Sequence, residues 1–409
     1  TYRVPDTLTA PPKGARVSVP LGTRLVVGVV AGQTDTPPTD PSKLRDIASV
    51  IDAAPFLPST VVDTALWVGD YYASGPGDAL MMGLPPAARR GEVDAFRMVS
   101  WAELVMRDVE PATLRGAKQR VALHALRASA EGKLALPALE EQGVSRDTLK
   151  SLERAGIVRL VDEVAERDPF VSDEGDDRWA VNAPPEADRA LTAEQQAVFA
   201  ELTEMVAGHR FGACLLQGVT GSGKTEVYLQ LARRVISLGR RVLMLVPEIA
   251  LTPAVAGTFR ARFGSRVAIQ HSGLAAGERH DQWHRIRRGQ VDVVVGTRSA
   301  IFAPLEQVGL IIVDEEHDGS YKQDEAPRYN GRDVAVVRAQ KEQALVLLGT
   351  ATPSMETAAN VASGRYRRLR LTRRIFDRPM ARVEVVDMRR EYATHGSDVV
   401  LSEALVDAI

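Results

Sequence analysis

The chain has 409 residues, 45% of them hydrophobic and 25% charged, a balance that excludes disorder as its general state. This length exceeds that of one ordinary hydrophobic core, so we expect two to four domains. The formal net charge of -2 excludes a uniformly basic surface, and any contact with nucleic acid must therefore come from local basic patches.

The single cysteine, Cys214, excludes an internal disulfide and a cysteine-based metal site, and we interpret it as a small buried strand residue. No apolar run is long enough to cross a bilayer, and the start lacks a charged-then-apolar leader. We therefore expect a cytoplasmic protein without a membrane partner. The sequence opens without Met and stops within a predicted helix, so we expect both ends to be cuts in a longer chain.

Residues 1–100 begin with two β-type runs, at 15–19 and 24–30, and these predict a hairpin. A helical pattern at 59–72 follows, with Ser59 as its expected N-cap. The region therefore predicts a small mixed domain.

Residues 108–165 have the pattern of a winged helix. The predicted helices and the wing strand lie at residues 117–128, 136–142, 145–155 and 157–161. Ser145 is the expected N-cap of the third helix, on which Arg146 and Lys150 would face outward. Such a helix often binds DNA, although a winged helix used only for packing remains the alternative.

Residues 166–189 are acidic and contain prolines, which predicts a linker before the next domain. From 190 to 372, short β-rich runs alternate with helical patterns, which indicates an α/β domain with a doubly wound parallel sheet. The predicted strands lie at residues 213–216, 242–246, 291–295, 310–313 and 344–348. The basic run at 365–374 predicts a solvated strand that leads out of this domain.

Residues 218–225 match the phosphate-binding loop pattern between a predicted strand and a predicted helix. Its glycines let backbone N–H groups point at phosphate oxygens, Lys224 would reach the β and γ phosphates, and Thr225 would bind Mg²⁺. The residues that we assign to nucleotide binding here are Gly218, Thr220, Gly221, Ser222, Gly223, Lys224 and Thr225.

A second acidic motif, Asp314-Glu315-Glu316-His317, follows the predicted strand at 310–313. Asp314 would hold Mg²⁺ through its water shell, and Glu315 would accept a proton from the attacking water. We interpret His317 as a relay that senses the nucleotide, with a hydrogen-bonded structural histidine as the alternative. Glu316 is equally consistent with a solvated turn residue that takes no part in the site.

Asp-Glu-x-His after GxxxxGKT resembles the superfamily 2 helicases. Residues 191–195 resemble the upstream motif of these helicases, which implies that Gln195 reads adenine. GTATPS, from Gly349, resembles the motif that couples hydrolysis to DNA movement and contains Thr350 and Thr352.

More specific stretches resemble the PriA family of replication-restart helicases. They are GVTGSGKTEVY, LVPEIALTP, QHSG, GTRSAIFAP, DEEHDGSYKQ and GTATPS, together with RVSVPLG and ALWVGDYY near the N-terminus. The resemblance covers essentially the whole chain. It implies a small mixed DNA-binding domain, a winged helix and a RecA-like first helicase lobe, with residues 373–409 as the start of a second lobe.

The resemblance also implies sites for DNA. Gly22 and Arg45, the latter in place of the usual lysine, would line a pocket for a 3′ end, and the acidic residue usual before Tyr2 is Thr1 here. Arg298 would contact the sugar-phosphate backbone, or else pair with a carboxylate. Rings and cations of the loop at 320–332 would sense single-stranded DNA, unless this is an ordinary polar loop. These loop residues are Tyr321, Lys322, Arg328, Tyr329 and Arg332.

The function implied is that of an ATP- and Mg²⁺-dependent 3′-to-5′ DNA helicase that recognises stalled or abandoned forks and initiates primosome assembly. Its implied partners are forked and single-stranded DNA, single-stranded DNA-binding protein and primosome proteins. Zinc is expected only in a further C-terminal part, and without a second lobe this chain is expected to hydrolyse ATP poorly. The alternatives are a non-unwinding fork-binding scaffold with a vestigial or switch-like ATP site, and an unrelated ATPase such as a restriction translocase.

Overall fold

The computed structural model of the chain describes nine ranges of residues. They are 1–36, 40–89, 97–129, 131–165, 167–170, 186–248, 253–375, 383–396 and 400–409. Among these residues, every helix is too short or too polar to span a bilayer.

The N-terminal hairpin is confirmed. Strands β1 (Arg16–Leu21) and β2 (Arg24–Val29) pair antiparallel with Leu21 opposite Arg24, and β3 (Ser49–Val50) pairs with the other side of β1. The turn between them contains Gly22 at φ +62°, a conformation that glycine adopts without a steric penalty.

Helix α1 (Ser59–Tyr71) follows, with α2 (Pro76–Met81) and α3 (Pro86–Arg89) after it. Ser59 is the first helical residue, and Pro58 occupies the N-cap position without a side-chain bond, so the expected cap at Ser59 is wrong. The buried side chains of α1 belong to the same hydrophobic cluster as the large sheet described below. These helices are therefore packed onto the third module.

The second module has its own hydrophobic cluster. Its elements are β4 (Arg97–Leu104), α4 (Ala117–Ala128), β5 (Lys133–Ala135), α5 (Leu136–Glu141), α6 (Arg146–Arg154) and β6 (Val158–Ala165). The predicted helices are all present, Ser145 caps α6, and Arg146 and Lys150 are exposed. Strand β6, predicted as the wing, pairs along its length with β4, which precedes the helices, so the sheet of this module contains a strand outside the predicted pattern. The winged-helix assignment stays a prediction.

Most of the predicted linker, residues 171–185 together with 166, lies outside the described residues. The described ends are fixed by ion pairs: Arg167 contacts Asp281 at 2.8 Å, and Asp188 contacts Arg262 at 2.5 Å. Both ends of this segment are therefore attached to the third module.

The third module is the predicted doubly wound domain. Its elements are α7 (Ala193–Ala207), β7 (Gly212–Gly218), α8 (Lys224–Ser237), β8 (Arg241–Leu245), α9 (Pro253–Phe263), β9 (Val267–Gln270), α10 (Ala276–Arg287), β10 (Val293–Gly296), β11 (Val308–Val313), α11 (Gly331–Glu342), β12 (Leu345–Thr350), α12 (Met355–Ala362) and β13 (Arg367–Leu371). The strands form a parallel sheet in the order β13-β7-β12-β11-β8-β10-β9. Helices α13 (Met388–His395) and α14 (Glu403–Ala408) follow.

The five predicted strands are present, and the sequence misses the edge strand β9. The other edge, β13, falls within the basic run at 365–374, where the sequence predicts a strand. It pairs with β7 and buries Leu369 and Leu371 while its arginines stay exposed. Residues of each central strand alternate between two hydrophobic clusters, one on each face of the sheet. Cys214 is buried on β7 as predicted, and its burial raises the pKa of the thiol to about 12.

Helix α10 joins the N-terminal region to this sheet. Trp283 stacks on Phe56 with ring centroids 4.8 Å apart, and its indole N–H donates to the Gly83 carbonyl at 2.9 Å. The guanidinium groups of Arg16 and Arg287 lie 3.7 and 4.5 Å from the Phe56 ring centroid. The prediction that Trp283 is a packing residue is confirmed.

We predict that Phe56→Ala separates the N-terminal region from the sheet. Loss of a buried ring costs about 3–5 kcal/mol of unfolding free energy, and here the ring joins two parts of the chain. Thermal unfolding should show a lower first transition than the wild type, with earlier proteolysis between residues 1 and 90. Met355→Ala is the control, because Met355 is 84% exposed. Equal melting curves for the two variants would contradict this account of the docking.

Candidate functional site

The phosphate-loop segment between β7 and α8 has the backbone that its sequence predicts. Gly221 and Gly223 have φ values of +80° and +77°, which L-residues rarely adopt. A Cβ at Gly218 would lie 2.6 Å from Ser222 Oγ, and one at Gly223 would lie 2.4 Å from Gln195 Nε2. Glycine is therefore required both for the left-handed conformation and for the tightness of the loop.

Lys224 joins this loop to the acidic motif. Its buried ammonium group donates to the Gly218 carbonyl at 3.1 Å and lies 3.5 Å from Glu315 Oε1. The carboxyl ends of parallel strands lie at one edge of a sheet, and β7, β12 and β11 are successive neighbours. The topology thus brings the two predicted motifs to one place.

Asp314 follows β11 directly and is fixed at both its main chain and its side chain. Its N–H donates to the Leu245 carbonyl at 2.9 Å, and its Oδ1 accepts from the Tyr228 hydroxyl at 3.0 Å. Burial, followed by the neighbouring charge of Glu315, raises the pKa of the Asp314 carboxyl above its usual value. A bound cation would therefore favour the charged carboxylate that this burial disfavours.

Glu315 has a φ of +42°, a region that non-glycine residues seldom occupy. This backbone places its carboxylate between two motifs: Oε1 faces Lys224, and Oε2 lies 3.5 Å from Thr350 Oγ1. His317 Nδ1 lies 2.8 Å from the same Thr350 oxygen and 3.7 Å from Glu315 Oε2. His317 and Thr350 are thus within reach of the carboxylate that we assigned as the base.

Glu316 is buried, so its interpretation as a solvated turn residue is wrong. Its carboxylate accepts hydrogen bonds from the Ser354 N–H at 2.7 Å, the Ser354 hydroxyl at 2.9 Å and the Thr357 hydroxyl at 2.8 Å. Arg332 Nη1 donates to it at 3.3 Å. Glu316 therefore ties the acidic motif to the segment that follows Thr350, where Thr352 N–H also donates to Thr350 Oγ1 at 3.1 Å.

Gln195 lies against the phosphate loop, on helix α7. Its Nε2 donates to the Ser222 carbonyl at 3.0 Å, and its Oε1 accepts from the Thr192 N–H at 2.8 Å. Both ends of the buried amide thus have protein partners, so the predicted adenine contact would require at least one of these bonds to be exchanged.

The residues present fit a Mg²⁺-bound triphosphate. Ser222 Oγ is buried and has no hydrogen-bond partner among the described residues, and Thr220 and Thr225 are exposed at the mouth of the loop. A buried hydroxyl without a partner, two left-handed glycines and a buried ammonium group lie together in this loop. Together they indicate a site for an anionic ligand, which would accept hydrogen bonds from these groups.

The loop at 320–332 differs from the predicted DNA-sensing surface. Tyr321 is buried and its hydroxyl donates to the Asp314 carbonyl at 2.6 Å, while Tyr329 is buried edge-on against Phe302. Arg332 is also buried, on Glu316 and Ser354. These residues would have to leave the core to stack on bases or meet phosphates, and their predicted contact with DNA stays a prediction.

The loop keeps two exposed cations, Lys322 and Arg328. Arg298 stabilises the main chain of this loop, because its Nη1 donates to the carbonyls of Ser320 at 3.0 Å and Lys322 at 2.8 Å. Those bonds go to main-chain oxygens, and the predicted contact of Arg298 with a DNA backbone stays a prediction.

An exposed aromatic group beside this loop was missed by the sequence analysis. The rings of Trp67 and Tyr71 on α1 are stacked, with centroids 4.7 Å apart and an interplanar angle of 16°, and Tyr71 is 66% exposed. Tyr72 accepts a hydrogen bond from the Asn330 N–H at 3.2 Å, and Lys322 Nζ lies 5.2 Å from its ring centroid. Trp67 and Tyr71 are four residues apart in the predicted helix, and this spacing is the sequence signal for their contact.

The two residues assigned to the 3′-end pocket do come together. Arg45 Nη1 donates to the Gly22 carbonyl at 2.7 Å, across the hairpin turn. The adjacent Leu21 and Leu25 are 63% and 65% exposed. The hairpin tip therefore presents an apolar and cationic surface, whose role in end recognition stays a prediction.

We predict that Glu316→Ala destabilises the protein more than Glu315→Gln does. Removing Glu316 leaves Arg332 with only the exposed carboxylates of Asp333 and Glu356, and it takes the acceptor from the Ser354 N–H and the Thr357 hydroxyl. Each buried group left without its partner costs about 1–3 kcal/mol. Glu315 is part-exposed, its contacts with Lys224 and Thr350 are both at 3.5 Å, and glutamine keeps a side-chain oxygen in the same place. Thermal unfolding of both variants would test this, and a melting temperature for Glu316→Ala equal to that of Glu315→Gln would contradict it.

Comparison with known proteins agrees with these features. A family model for the 3'DNA-binding domain of PriA matches residues 1–85, and one for the DEAD/DEAH box helicase matches residues 192–361. Replication restart protein PriA of Bacillus subtilis is 33% identical over 95% of this chain and 56% of its own length. The Haemophilus influenzae protein of that name is 34% identical over 99% of this chain and 54% of its own. The chain thus spans about half the length of these relatives, and by sequence it belongs to the PriA family of replication restart proteins.

Proposed function

We propose that this chain is the nucleotide-binding and DNA-binding front part of a 3′-to-5′ DNA helicase. In the cytoplasm the helicase would recognise stalled or abandoned forks and initiate primosome assembly. The observation that carries this proposal is the 3.5 Å approach of Lys224 to Glu315 at the carboxyl edge of the sheet. Single-stranded DNA-binding protein and primosome proteins are its proposed protein partners, on family membership alone.

The proposed roles in the nucleotide site follow from the chemistry of each group. Backbone N–H groups of residues 218–225 and the Lys224 ammonium would bind phosphate oxygens. Thr225 and Asp314 would hold Mg²⁺, which when bound neutralises charge on the phosphates. Glu315 would accept a proton from the attacking water, and its contact with Lys224 would then give way to phosphate.

Coupling to DNA would pass through the contacts behind this site. His317 and Thr350 lie against Glu315, and Glu316 bonds to Ser354 in the segment after Thr350. Loss of the γ-phosphate would therefore affect the GTATPS segment directly, because the acidic motif contacts that segment with no helix or strand between them. Arginines from a second lobe would complete the charge stabilisation in a longer chain.

We propose two contact surfaces for DNA. The hairpin tip with Gly22 and Arg45 would bind a 3′ end. The exposed Tyr71 ring, with the cations Lys322 and Arg328, would bind single-stranded DNA in place of the buried tyrosines of the loop.

We predict that nucleotide and fork binding are separable. Lys224→Ala should lower affinity for a fluorescent ATP analogue by at least about tenfold, because a charge-assisted bond to phosphate is lost. The same variant should bind a labelled fork as the wild type does, because the proposed fork contacts lie elsewhere.

The reciprocal control is Arg45→Ala, which should weaken binding to a fork with a free 3′ end and leave nucleotide binding unchanged. Equal loss of both ligands in either variant would defeat the separation. Fork binding without any nucleotide binding by the wild-type chain would favour the scaffold alternative.

A second prediction concerns Tyr71. Stacking on one base contributes about 1–3 kcal/mol, so Tyr71→Ala should weaken binding of a labelled oligothymidylate roughly tenfold. Tyr71→Phe keeps the ring and should bind like the wild type. Fluorescence anisotropy titrations would measure both, and equal affinity of the Ala and Phe variants would remove this ring from the DNA path.

A further inference from the structure

Tyr228 lies one helical turn after Lys224 on α8 and shares its side of that helix. Its side chain is fully buried, and its hydroxyl donates to Asp314 Oδ1 at 3.0 Å. A buried tyrosine hydroxyl requires a partner, and here the partner is the carboxylate that we assign to the metal. The phosphate-binding helix therefore contacts the acidic motif through a second side chain besides Lys224.

Gly349 is the residue that makes room for this contact. A Cβ at position 349 would lie 1.7 Å from the Tyr228 hydroxyl oxygen and 3.3 Å from Asp314 Oδ1. Its φ is not in the left-handed region, so the requirement for glycine is one of space and not of backbone conformation. Any side chain at position 349 would displace the Tyr228 hydroxyl from the carboxylate.

The Asp314 main chain is held separately. Tyr321 donates its hydroxyl to the Asp314 carbonyl at 2.6 Å, and the Asp314 N–H is bound by the Leu245 carbonyl. With the peptide fixed on both sides, the remaining freedom of Asp314 is the rotation of its side chain. The Tyr228 hydrogen bond acts on that rotation.

We infer that Tyr228 is a positioning residue for the Mg²⁺ site, which orients the Asp314 carboxylate, and that Gly349 is a glycine in order to permit this. A phenol restrains one carboxylate oxygen without adding positive charge, and it leaves the other oxygen for a cation or its water to approach. Outer-shell hydrogen bonds of this kind orient metal ligands and strongly affect metal affinity. This inference rests on the proposed nucleotide site.

The test measures how Mg²⁺ affects binding of a fluorescent ATP analogue to the full 409-residue chain. For Tyr228→Phe, the Mg²⁺ concentration at half-effect should rise about tenfold, since an outer-shell bond to the metal ligand is lost. Binding of the analogue in EDTA should match the wild type, because the phosphate loop and Lys224 are unchanged. Tyr2→Phe is the matched control: it also removes a tyrosine hydroxyl, here one that donates to the Pro20 carbonyl at 3.2 Å in the N-terminal region, and it should leave the Mg²⁺ titration unchanged.

Gly349→Ala provides the second variant, and it should shift the Mg²⁺ titration in the same direction as Tyr228→Phe. An unchanged Mg²⁺ titration in Tyr228→Phe would overturn the inference. So would an equal loss of analogue binding with and without Mg²⁺, accompanied by a lower melting temperature, since that result describes only a packing residue. If the wild type binds no analogue under any condition, the proposed nucleotide site itself fails, and that result is recognisable before any variant is measured.

Discussion

The meeting of three parallel strand ends at one edge of the sheet is the constraint on which the rest of this structure depends. Strands β7, β12 and β11 are neighbours in that order, and each ends in a motif with charged or hydroxyl groups. Lys224 follows β7, Thr350 ends β12 and Asp314 follows β11. Because parallel strands share a direction, residues far apart in sequence reach the same edge of the sheet, where the phosphate loop then places Lys224 beside the acidic motif.

Charge explains why this arrangement is suited to a ligand. Two carboxylates, Asp314 and Glu315, lie side by side with one buried ammonium group from Lys224. The burial of Asp314 and the positive φ of Glu315 are both unfavourable in isolation. Packing on every side of β11 maintains them. A bound cation would offset the excess negative charge, and a phosphate oxygen would accept from the Ser222 hydroxyl, which has no partner among the described residues.

The sequence predicts the parts of the fold and site that depend on local patterns. Continuous apolar runs identify the central strands because strands buried on both faces lack alternation. The phosphate loop is predictable because its left-handed backbone and its close contacts both require glycine at fixed positions. Edge strand β9 has only four residues, and the docking of α1 through Phe56 and Trp283 depends on contacts between residues more than two hundred positions apart. Local patterns do not contain that information.

Residue type also fails to reveal burial. Tyr321, Tyr329 and Arg332 have the chemistry of a DNA-binding loop, yet they are core residues that support Asp314, Phe302 and Glu316. Their exposed counterpart, Tyr71, comes from a helix in another part of the chain.

The most direct test of the shared ligand is anomalous diffraction from crystals grown with Mn²⁺ and a non-hydrolysable ATP analogue. We expect one manganese peak between Thr225 and Asp314, in contact with the phosphates. A bound nucleotide whose manganese lies away from Asp314 would contradict it.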